Sequence, residues 1–248
     1  MRLFSLSALA VALAFSSHSD AGSLCVGSQS CTFIFADNGD NTFGSGPFGT
    51  VKLDLVSVGG GSGTVTFTID LVGGSAYPDG ARLIDAGNHV PFGFNVDPGL
   101  VVVLSDFKTN DSGSPVTTTA YLQGGSGDNP PFGSFTHSVV STCTQGSSCS
   151  NHVNTLIFTA TITGGFTGLN QLINLSTLPP GDTQAYFASD IFYNPAAGGT
   201  EDTGAVGVIG PPTTVVTQLS DVPEPQSAAL MGTGLVGLLY AARRMRRK

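Results

Sequence analysis

From Thr64 to Leu71 the chain reads Thr-Val-Thr-Phe-Thr-Ile-Asp-Leu, apolar at every odd position and polar at every even one. Side chains of an extended strand point alternately to opposite faces. This period therefore puts Val65, Phe67, Ile69 and Leu71 on one apolar face, whereas a helix would scatter them around its axis. The segment must be a half-buried strand that needs neighbours to complete its backbone hydrogen bonds. Just upstream, Val51, Leu53 and Leu55 alternate with Lys52 and Asp54, and Gly59-Gly60-Gly61-Ser62-Gly63 lies between the two runs. Together they predict a hairpin with a flexible glycine loop. The same period recurs at Phe92, Phe94 and Val96 and at Leu156, Phe158, Ala160 and Ile162, while the unbroken apolar run Leu100 to Leu104 suits a central strand. The best helical pattern is Leu169, Leu172 and Ile173, a turn or two that must end before Pro179-Pro180.

Strands this frequent, in a chain with 34 Gly and 14 Pro among 248 residues, predict an all-β fold. The expected architecture is an antiparallel β-sandwich or jelly-roll-like single domain over residues 22–197. Pro-Phe-Gly occurs at 47–49, 91–93 and 131–133, each time near the start of an apolar segment, and reads as a recurrent strand-entry turn. Apart from Arg2, Asp20 and the five basic residues from Arg243 on, the chain holds three basic residues, Lys52, Arg82 and Lys108, against sixteen acids, a net charge of −13. A surface of that sign repels phosphate backbones, so nucleic acid is not an expected partner.

Residues 1–21 read as a signal peptide helix. Arg2, an apolar run from Leu3 to Phe15 that is too short to span a bilayer, and small residues at Ser19 and Ala21 fit cleavage by signal peptidase. At the other end Val222, Pro223, Glu224 and Pro225 precede an apolar run from Gln226 to Ala242, followed by Arg243, Arg244, Arg246, Arg247 and Lys248. As a helix that run rises about 25 Å, a marginal transmembrane length. The basic cluster would stop transfer and stay on the cytoplasmic side, which puts the body outside the inner membrane, transiently anchored by its C-terminal helix. Pro223 and Pro225 lack amide donors and keep their segment extended and open to a protease. Residues 198–221, rich in Gly, Thr and Pro, read as its flexible spacer.

The order of motif, apolar stretch and basic tail over residues 222–248 resembles the PEP-CTERM sorting signal of Gram-negative bacteria. The resemblance implies recognition by an exosortase, a membrane-embedded cysteine protease or transpeptidase that cuts near Pro223 to Pro225 and passes the protein to the cell surface or beyond. It further implies an export system that accompanies exopolysaccharide and biofilm. Gly46-Pro47-Phe48-Gly49-Thr50-Val51 and the run from Pro179 to Ile191 are similar to segments of other proteins carrying this signal, and they supply no catalytic residues to transfer.

Export makes oxidation the expected fate of Cys25, Cys31, Cys143 and Cys149. Four cysteines leave three connectivities open, and the expectation is local bridging within each close-spaced pair. Asp37, Asn38, Asp40 and Asn41 crowd four short oxygen side chains into one loop, a candidate calcium site, although the same residues suit a turn for backbone reasons alone. Calcium apart, no cofactor is expected. No Gly-x-Ser-x-Gly, His-Glu-x-x-His or phosphate-loop pattern is present, and His89, His137 and His152 read as surface histidines in loops.

The expectation is thus a non-enzymatic, exported surface or extracellular-matrix protein, processed by an exosortase and associated with exopolysaccharide or biofilm. The alternative is a lectin-like carbohydrate-binding module, calcium-dependent or not, against which the absence of Trp counts. A glycan hydrolase ranks third, because no spacing singles out a pair of carboxyls.

Overall fold

The computed structural model describes residues 24–39, 43, 46–72, 80–85, 89–110, 113–142, 153–179, 182–193 and 202–217. The signal-peptide segment, Asp40, Asn41, Cys143, Cys149, His152 and the sorting segment 222–248 lie outside them. In chain order the strands are β1 (Ser28–Phe35), β2 (Gly49–Gly59), β3 (Ser62–Leu71), β4 (Ala81–Leu83), β5 (Phe92–Phe94), β6 (Val101–Thr109), β7 (Val116–Thr117) and β8 (Tyr121–Gln123). There follow β9 (Gly127–Asp128), β10 (Ser134–Phe135), β11 (His137–Ser141), β12 (Thr155–Thr163), β13 (Phe187–Tyr193), β14 (Asp202–Val208) and β15 (Thr214–Thr217). They form a seven-stranded sheet in the order β15-β1-β2-β3-β12-β6-β7, a six-stranded one in the order β14-β13-β5-β11-β8 with β4 also paired to β13, and a separate short pair of β9 and β10. All the strand ladders are antiparallel, and the two sheets make a sandwich-like all-β domain.

The alternating segments behave as their period requires. β2 and β3 pair with Leu53 opposite Phe67 and Val51 opposite Ile69, and all four side chains are fully buried. Their connection is tighter than a five-residue glycine loop. Gly59 and Ser62 already pair, leaving Gly60 and Gly61 at φ of 60° and 76°. Two left-handed residues match the twist of the flanking strands, and glycine reaches that region without a Cβ penalty.

A seam of phenylalanines joins the layers. Phe67 and Phe158 are direct partners across β3 and β12, with ring centroids 4.9 Å apart and planes 10° from parallel. From the smaller sheet, Phe94 lies 5.1 Å and Phe92 6.2 Å from Phe67. Phe92 stacks on Phe187 at 5.9 Å, and Phe33 of β1 meets Phe187 edge-on at 5.2 Å. Burying each ring is worth about 2 kcal/mol relative to leaving it in water. On the other side of β13 a small cluster of Phe132, Phe135, Ala185, Ala188 and Ala205 seats a covering segment. Gly207 belongs to that fit, because a Cβ there would come within 2.5 Å of the Phe132 ring. The three Pro-Phe-Gly copies each bury their phenylalanine, and β2 and β5 begin within the first two of them.

Two expectations change. The run Leu100 to Leu104 is not central: β6 is next to the end of its sheet, only the two-residue β7 lies beyond it, and Val101 and Val103 face solvent. Valine suits a strand on either face, so an apolar run does not reveal that only Val102 and Leu104 point inward. The stretch read as a flexible spacer, 198–221, contributes β14 and β15, the first pairing along β13 and the second along β1. The helical pattern at Leu169 appears as a single 3-10 turn, Leu169–Leu172, with both leucines buried.

The exposed margin of β6 is closed by a side chain. Gln123 Oε1 accepts from the Leu104 N–H at 2.8 Å while its Nε2 donates to the Val102 carbonyl at 3.1 Å, so one amide stands in for a neighbouring strand. Gln123→Ala leaves both backbone groups without this partner. Urea unfolding is expected to show a loss of about 1–3 kcal/mol.

Candidate functional site

The outward face of the larger sheet carries a cleft. The ladders place Ile34 opposite Thr50, Thr50 opposite Asp70 and Asp70 opposite Thr155. Ile34, Thr50 and Asp70 join Pro47, Gly49, Leu71, Val72 and Asn154 around an open space of about 380 Å³. The Asp70 carboxylate is exposed and is oriented by the Thr155 hydroxyl, which donates to it at 2.8 Å. Thr50, Asp70 and Asn154 thus offer donors and acceptors beside the apolar walls of Ile34, Pro47 and Val72, the combination that fixes a small polar ligand. The sequence held a signal for Asp70: it is the one carboxylate in a polar row of threonines. Asn154 and Pro47 come from loops that only pairing brings alongside.

His89 is not simply a surface histidine. Its Nδ1 lies 3.3 Å from the Oδ1 of Asp190, a carboxylate only 1% exposed in the middle of β13. The two are 101 residues apart, which is why no local pattern pairs them. Ser189 is buried beside Asp190 in sequence but projects from the opposite face of the strand, so its hydroxyl does not complete a triad with this pair. His137 packs with its ring 5.4 Å from Phe94 and bonds the Thr136 hydroxyl at 2.9 Å through Nδ1.

Of the calcium candidates, Asp37 and Asn38 are described. Asp37 Oδ1 accepts from the Gly39 N–H at 3.0 Å, and its backbone pairs with Gly207 in both directions, at 3.3 and 2.8 Å. Asn38 is buried. These residues tie the exit of β1 to β14, and among the described residues no group of three or more His, Cys, Asp or Glu side chains is placed to hold a metal. Cys25 and Cys31 form a disulfide, both fully buried, that staples the turn before β1 to that strand. The local pairing expected for the first two cysteines is therefore found.

Burial pushes the His137 imidazole below its ordinary value of 6.5. A group whose folded pKa is depressed adds stability in full above its unfolded pKa. As pH falls below about 6.5 the unfolded chain takes up the proton more readily, and this contribution is lost down through the folded pKa. Urea titrations across this range should show stability falling with acid, with a shallower slope for His137→Gln.

The class that emerges is an all-β, sandwich-like domain, stapled by a disulfide at its start and ending in an edge strand, β15, that leads to a Pro-Glu-Pro segment. Residues 221–247 match the family model of the PEP-CTERM protein-sorting motif, so the chain carries that motif. The motif implies export and sorting to the cell surface, with an exosortase as processing partner. No curated protein and no solved structure matches the chain. Among the described residues no helix is long and apolar enough to cross a membrane, and the expected C-terminal helix lies outside them.

Proposed function

We propose that the protein is a non-enzymatic surface or extracellular-matrix component, delivered by exosortase processing into exopolysaccharide or biofilm. The observation that carries this reading is the sorting motif at 221–247, which begins four residues after the edge strand ends at Thr217. A disulfide-stapled domain whose residues 22–217 carry a net charge of −11 suits that setting, since like-charged copies stay soluble and apart. Intact mass of protein recovered from outside its native cells tests it. The expected species lacks residues 1–21 and everything beyond the Pro-Glu-Pro segment, whereas a chain retaining Lys248 overturns exosortase processing.

The cleft favours a second reading, a carbohydrate-binding module. Thr50, Asp70 and Asn154 would hydrogen-bond sugar hydroxyls while Ile34, Pro47 and Val72 cover an apolar sugar face. Calorimetry against extracted exopolysaccharides is expected to give a dissociation constant in the millimolar range or tighter, weakened at least tenfold by Asp70→Ala. Titration with and without calcium assigns or removes a metal contribution. Equal heats for the wild type and Asp70→Ala would eliminate the cleft as the sugar site.

A further inference from the structure

The larger sheet has one apolar end that is poor in charge, and the chain leaves the fold there. Register defines this end: Ser28 pairs with Thr217, Gly59 with Ser62, Gly63 with Ile162 and Thr163 with Val101. Around it stand exposed valines. Val26 occupies the disulfide-stapled turn before β1, Val56 and Val58 lie near the end of β2, and Val101 and Val103 lie at the start of β6, with exposures from 46% to 63%. Large apolar side chains exposed together in this way mark a contact surface. The stretches that pass through this end, residues 24–36, 55–69, 98–105, 155–179 and 203–217, contain no Asp, Glu, Lys or Arg, in a body whose net charge is −11, while Asp97, in the turn that leads into β6, is half-buried and accepts from the Asn174 amide at 2.9 Å.

We infer that this end of the sandwich seats on the lipid surface of the membrane before the sorting motif is cut. The inference rests on the reading that the apolar run Gln226 to Ala242 inserts in the bilayer. Eight residues, nine Cα steps, separate Thr217 from Gln226, so the end of β15 lies at most about 32 Å from the start of that run. The chain enters β1 beside that exit, since Ser28 is the partner of Thr217, so an uncut signal segment would tether the same corner. Charge selects the orientation. An acidic body is repelled by anionic headgroups, and the valine end, where the one carboxylate of the turn into β6, Asp97, is half-buried and bonded to Asn174, is the side that approaches them with the least penalty. Seating the valines against lipid removes their apolar area from water, and the Cys25–Cys31 bridge fixes the turn that carries Val26.

The chain contains no Trp, so a single substitution reports its own environment. Full-length Val26→Trp, Val58→Trp and Val101→Trp would each be reconstituted into phosphatidylethanolamine/phosphatidylglycerol vesicles, with and without brominated acyl chains. Val116→Trp, on β7 opposite Thr109 at the far end of β6 and comparably exposed, is the control. All four sites face solvent, and an unchanged melting temperature checks the fold of each variant. The expected result is blue-shifted emission for the first three, quenched at least twofold by the brominated lipid, with Val116→Trp unquenched and red.

Vesicle flotation separates the two readings. Protein that floats while all four tryptophans stay red and unquenched keeps the anchor and overturns the docking. Protein that does not float overturns both. A blue shift that bromine leaves unquenched, accompanied by a cross-linked dimer, assigns the valine end to a second copy of the chain and overturns the lipid assignment.

Discussion

Phe67 and Phe158 face each other across β3 and β12, and the second layer is organised around that stacked pair. Phe92 and Phe94 occupy a strand only three residues long, too short to hold its place through backbone pairing alone. It is fixed by the rings it sets against Phe67, Phe158 and Phe187. The remaining strands of the smaller sheet pair outward from β5, to β13 on one side and β11 on the other. With so few charged side chains and so many turns, the aromatic seam is the main cohesive term, and it acts by excluding water between two surfaces that each strand makes only half apolar.

The margins of the sandwich are managed by different means. At β6 the side-chain amide of Gln123 satisfies two backbone groups that a short β7 does not reach. At β1 the margin is covered by β15, the last described strand before the sorting motif. The cover on the β1 side thus belongs to the segment that links the domain to its export signal. The turn at Asp37 works at the opposite end of β1, joining its exit to β14 through paired backbone bonds.

Function divides along the same lines. The sorting motif is legible as one continuous segment, residues 221–247, whereas the cleft at Asp70 exists only because four neighbouring segments share a rung of the sheet. The carboxylate in the second needs the Thr155 hydroxyl, 85 residues away, to hold it.

The sequence by itself determined what depends on neighbours along the chain. The two-residue period specified β2, β3 and β12, and the glycine run marked the β2–β3 turn. The five-residue spacing favoured the Cys25–Cys31 bridge, and the Pro-Glu-Pro, apolar and basic order identified the tail. Only the tertiary structure decided what depends on which strands meet. It moved the Leu100 to Leu104 run next to a sheet margin, turned part of an apparent spacer into β14 and β15, paired His89 with Asp190, and gathered Asp70 and Asn154 into one cleft. The reason is that alternation records which side chains share a face but is silent on strand order. Order is settled by packing between residues a hundred positions apart, where burial of aromatic surface outweighs any local preference.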